Sequence, residues 1–157
     1  KNLLDNLSDM SGNDFLVDWA HHYAQHLSVF RGDDEKVTRQ GEVVHVKGSK
    51  STTKYIPASE LSDYQHKTPS NGETIYVVTF NTKDNLESLE KQWKKFSEHR
   101  NVIVIFLNPK SKLDKKWSIH PYVHNMICDE KALHTGLKSL TENVEQIKKA
   151  DIEGLKE

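Results

Sequence analysis

The sequence predicts a single α/β domain built on a mixed central sheet, and three observations predict it. Residues 74–80 and 101–107 are nearly continuous runs of β-branched, aliphatic and aromatic side chains, the pattern of strands covered on both faces. Between them Leu86, Leu89, Trp93 and Phe96 recur at helical spacing, with Glu87, Glu90, Lys91, Lys94 and Lys95 left for solvent. Upstream, the apolar period changes at Lys36 from helical to alternating.

Residues 1–13 are polar and read as a loose lead-in. A helix follows over 14–30, with Asp14 at the N-cap position and Leu16, Trp19, Tyr23, Leu27 and Phe30 along one face. Gly32 and the acidic run after it end this helix. Residues 42–47 and 52–56 form a hairpin across Gly48-Ser49-Lys50-Ser51, and Pro57 marks an edge or an exit. The stretch 58–73, with Pro69, Ser70, Asn71 and Gly72, is an exposed connection holding one helical turn at 59–64. Strand 74–80, helix 85–99 and strand 101–107 then make a right-handed βαβ unit with two parallel strands. A lysine-rich loop, 110–116, leads to short edge strands at 117–119 and 122–123, interrupted by Pro121. Asp129 caps a last helix over 130–149, whose Leu133, Leu137, Leu140, Val144 and Ile147 step by fours and threes. The domain thus occupies 14–150, with a short tail at 151–157.

Composition narrows the function classes. The chain has 157 residues, enough for one domain with a sizeable core. Its 22 basic and 23 acidic side chains give no global pull towards nucleic acid or membrane, so polyanion binding must rest on a local patch. No apolar run approaches the ~20 residues that span a bilayer, and the first residues lack the apolar stretch of a signal peptide. A lone cysteine, Cys128, leaves no intramolecular disulfide, and a reducing cytoplasm is the expected location. The missing initiator Met suits a segment of a larger protein. Nucleophile-elbow, P-loop and dinucleotide glycine motifs are absent from the sequence.

The order of helix, hairpin, strand, helix and strand over 14–109 resembles the αβββαβ order of the restriction endonuclease-like, or PD-(D/E)XK, family. The resemblance lies in element order, not in a motif. It implies an acid-x-Lys signature at the end of the strand before the crossover helix, with an aspartate nearby, the carboxylates holding Mg²⁺. Here that strand ends Asn81-Thr82-Lys83, so the lysine is present and the acid is an amide. Asp63 and Glu42 are the nearest candidates for the upstream acid. Under this resemblance Asp63, Asn81 and Lys83 are the catalytic candidates, with Mg²⁺ the only cofactor implied.

The same stretch has a reading independent of family. Parallel strands bring their carboxyl ends together, which puts Thr82 and Lys83 near Asn108, where open α/β sheets bind ligands. Helix capping by Asn81, Thr82 and Asp84 is the plainer alternative. Lys112, Lys115 and Lys116, with Trp117 beside them, can meet a nucleic-acid backbone and stack on a base, or form a solvated loop. His22 and His26 read as partly buried structural histidines, and His120, His124 and Cys128 as a weak zinc or nucleophile set. The expected function is a non-catalytic nucleic-acid or partner-binding domain. A metal-dependent phosphodiesterase and a protein-interaction domain of a larger assembly are the alternatives.

Overall fold

The structure, a computed structural model, describes residues 12–31, 35–109, 116–127, 129–143, 146–147 and 152. Among them, helix α1 (Gly12–Arg31) is followed by strands β1 (Lys36–Gln40), β2 (Val43–Lys47) and β3 (Thr52–Pro57). A 3-10 turn at Leu61–Asp63 leads to β4 (Glu73–Phe80), α2 (Lys83–Lys91), α3 (Trp93–Phe96) and β5 (Val102–Leu107). Strand β6 (Lys116–Ile119) and helices α4 (Pro121–Ile127) and α5 (Glu130–Asn143) complete the order. All six strands belong to one sheet, ordered as in the chain. The fold is α/β with a mixed sheet and a C-terminal helix.

The two apolar runs lie side by side and parallel, with Ile75 opposite Val102 and Phe80 opposite Leu107. Strand β3 also pairs with β4 in parallel, so the connection 58–72 is a crossover. Strands β1 to β3 form an antiparallel meander, and β6 runs antiparallel to β5. Strand β1 is additional to the predicted hairpin. Only Val37 of its five residues is apolar, but Gln40 and Val43 pair across Gly41-Glu42. The φ of 60° at Gly41 suits the first position of such a tight two-residue turn.

Alternation along the strands sends side chains to two cores. On one face Ile75, Val77, Val104 and Phe106 pack beneath Leu86, Leu89, Trp93, Phe96 and Leu137. On the other, Val44, Tyr55, Val78, Phe80, Ile105 and Leu107 meet Leu16, Val17, Ala20 and Ala24 of α1. Helices therefore cover both faces. A Cβ on Gly12 would sit 2.8 Å from the Phe80 ring and 2.9 Å from Ser59, so glycine lets α1 begin against the sheet.

Several local expectations are corrected. The buried stripe of α1 runs through alanines, Trp19 and Tyr23 flank it as a stacked pair, and Phe30 is 76% exposed. Asp14 lies in the first turn of α1 rather than at its cap. His22 and His26 are exposed; His22 donates to the Asp18 carbonyl four residues back, and His26 meets Phe30 edge to face. The helix expected over 85–99 is broken at Gln92 into α2 and α3. Tyr122 and Val123 are helical, because Pro121 starts α4 instead of interrupting a strand. Helix α5 is described over Glu130–Asn143, and Ile147, expected on its stripe, is not helical and packs on the opposite face of the sheet.

Candidate binding edge of the sheet

Because β3, β4 and β5 run in parallel, their carboxyl ends open on one edge. There the Asn81 amide donates to the Leu107 carbonyl (2.6 Å), which holds the β4 exit against the β5 exit. Thr82 is extended, and its hydroxyl accepts from the Asn85 amide at 3.1 Å, capping α2. Lys83 opens the helix and is exposed.

Asn81 is 4% exposed, and its carboxamide oxygen accepts a hydrogen bond from the Trp117 indole (3.0 Å). Trp117 in turn lies flat on Phe106, with centroids 4.2 Å apart. Asn81 is thus turned into the protein and ties β4 to β6. Trp117 keeps one ring face on the core, which limits what it can offer a nucleic-acid base. Asn108, directly after β5, is buried.

Asn85, read from the sequence only as the beginning of a helix, is the principal polar fastener of the edge. Its oxygen accepts from the Leu61 amide (2.9 Å), and its nitrogen donates to the carbonyls of Phe80 (3.0 Å) and Ser59 (3.1 Å). A buried carboxamide with three backbone partners fixes the 58–61 connection against α2. A helical-face pattern cannot reveal this, since its partners lie far away in sequence.

Lys83 lines a cleft of about 810 Å³ with Ser59, Glu60, Asp84, Lys91 and Ile147. Asp63 is exposed on the 3-10 turn and lines a second cleft, of about 310 Å³, with Glu42 and Lys67. The clefts share Ser59 and Glu60. Tyr64 closes the smaller one; burial pushes its hydroxyl above the ordinary value of 10.0, against a contact with the Lys67 backbone. The structure therefore joins Thr82 and Lys83 at one site and places Asp63 at another. Asn81 faces inward, Lys83 outward and Asp63 the neighbouring cleft. Among the described residues, no group of three His, Cys, Asp or Glu side chains is placed to hold a metal ion.

Lys116 pairs opposite Leu107, and its ammonium stands 5.4 Å from the Tyr23 ring centre. Lys112 and Lys115 lie outside the described residues, as does Cys128. His120 donates from Nε2 to the Arg100 carbonyl and His124 from Nδ1 to the His120 carbonyl, so both rings are oriented by backbone. Among the described residues no helix is long and apolar enough to cross a membrane. No known protein family, curated protein or solved structure matches the chain.

Proposed function

We propose that the chain is a binding domain without catalytic activity, and that it holds a nucleic-acid backbone along the carboxyl edge of its sheet. The observation that carries this reading is convergence. Lys83 follows β4, and the lysine-rich stretch 110–116 leaves β5 and returns at Lys116 opposite Leu107, so both basic features are anchored at one edge. Lys91, the last residue of α2, adds a second cation to the cleft that Lys83 lines. The inward-facing Asn81 and the separation of Asp63 from Lys83 favour binding over metal-assisted hydrolysis.

Titration of single-stranded and duplex DNA and RNA over a range of salt concentrations tests the proposal. Affinity falls steeply with salt, and Lys83→Ala combined with Lys112→Ala, Lys115→Ala and Lys116→Ala weakens it by roughly tenfold or more and flattens the salt slope. Absence of binding at low salt, or binding indifferent to these lysines, sinks it. Cleavage in Mg²⁺ or Mn²⁺ that disappears in Lys83→Ala replaces it with a phosphodiesterase.

A further inference from the structure

A second surface, which shares Lys91 with the cleft at this edge, lies on the outer side of the helices. A groove of about 1060 Å³ runs between α2–α3 and α5, lined at its base by Trp93 and Leu133. Its rim carries Lys91, Lys94, Lys95 and Lys131 against Glu90 and Glu130, so lysines outnumber acids by four to two. Glu90 is already engaged by His134 across the groove, at 2.6 Å. Further apolar side chains are exposed on α4, beside the helices that line the groove. The Trp93 indole donates to the Asn125 carboxamide (3.0 Å), which sets α4 beside α3. The next two residues, Met126 and Ile127, are 70% and 73% exposed, and α5 begins shortly after at Glu130, itself on the rim. Two large apolar side chains thus stand in solvent between two elements that both touch the groove.

We infer that this groove docks an acidic amphipathic helix of a partner protein. Apolar residues at i, i+3, i+4 and i+7 of that helix lie on Leu133 and the Met126–Ile127 pair, and its carboxylates meet the four lysines. The sign of the rim selects an acidic segment and rejects a basic one, mainly through the rate of encounter and the cost of like charges. The apolar base selects a peptide over a nucleic-acid backbone, which would leave Met126 and Ile127 uncovered. The Trp93 ring is 8% exposed with its N–H already bonded, so it offers little platform for a base.

Fluorescence anisotropy with a labelled synthetic helix carrying leucines on one face and glutamates elsewhere tests this on the full chain. Binding is saturable, and it weakens about tenfold in the Lys94→Glu, Lys131→Glu double variant and also in Met126→Ser, Ile127→Ser. These exposed substitutions leave the circular-dichroism melt unchanged, which separates lost docking from lost folding. An equally acidic peptide with serines for leucines binds at least about tenfold more weakly. Equal binding of that serine peptide overturns the inference, as does no binding of the leucine peptide. So does displacement by a single-stranded oligonucleotide whose own affinity drops in Lys94→Glu, Lys131→Glu, which makes the groove a nucleic-acid site.

Discussion

Glu73 stands at the start of β4 with 8% of its side chain exposed, and one of its carboxylate oxygens lies 3.0 Å from the Lys54 ammonium on β3. Burial pushes this carboxyl up, but the Lys54 hydrogen bond and charge and the Ser70 amide outweigh it and hold it below the ordinary 4.5. The sign follows from linkage. A carboxyl more acidic in the folded chain than in the unfolded one stabilises the fold fully above its ordinary 4.5. That contribution is lost as pH falls through the lower, folded value. Stability measured by urea unfolding therefore declines with acid below this range, and Glu73→Gln makes the decline shallower by up to about 1.4 kcal/mol per pH unit. An identical slope in the variant rules out the role given to Glu73. Such pairs are hard to read from sequence, because Lys54 and Glu73 meet only once β3 and β4 are known to be parallel. The same holds for Asn81 and Trp117. The sequence brought both to attention as site candidates, and in the fold the Trp117 indole donates to the Asn81 carboxamide oxygen. Thr82 was legible as a cap because its partner, Asn85, is only three residues away.

At the scale of elements, legibility follows apolar content. Strands β4 and β5 and the stripe Leu86, Leu89, Trp93 and Phe96 were readable because almost every signal-bearing side chain is buried. Strand β1, Lys-Val-Thr-Arg-Gln, was not, since an edge strand needs one apolar contact and backbone pairing, not alternation. The stripe of α1 was misplaced for a related reason. Ala20 and Ala24 carry little hydrophobic signal, yet their small size lets the helix lie close on the sheet, while the larger Phe30 extends past it. The break at Gln92 has a polar cause. Its side-chain oxygen faces His66 Nε2 at 2.7 Å and its nitrogen donates to the Leu61 carbonyl, so it serves the connection rather than the helix stripe. Trp93, immediately after, carries the prediction for this scale. It is buried in the core and its indole is hydrogen-bonded to Asn125. Trp93→Ala should cost ~3–5 kcal/mol of unfolding free energy, through lost burial and the cavity left behind. A loss under about 1 kcal/mol in urea titration would contradict the packing of α3 on the sheet.

For the whole molecule, the decisive feature is how one chain closes two cores separated by a single sheet. Leu137 of α5 packs with α2 and α3, whereas Ile147 belongs to the core under α1. The chain therefore passes from one face to the other within ten residues, and it does so at the carboxyl edge, where the Ile147 amide donates to the Asn81 carbonyl at 2.9 Å. Ile147 and Ile152 also line the Lys83 cleft or the core beneath it. Helical periodicity over 130–149 could not anticipate this, since a stripe that continues by fours and threes looks the same whether or not Ile147 is helical. The consequence is measurable by ending the chain after Asn143. Such a chain keeps strands β1 to β6 and helices α1 to α5 but loses Ile152 and the Ile147 side chain, 4% exposed, together with its bond to Asn81. Burial of an isoleucine of this kind is worth ~2–5 kcal/mol, and the stability lost on truncation should fall in that range. The loss should also be local in hydrogen exchange. The Asn81 and Leu107 region gains exchange while the β1–β2 meander, far along the sheet, keeps its protection relative to the global opening. If the truncated chain unfolds at the same urea concentration as the whole one, the C-terminal crossing is not what holds the two cores together at this edge.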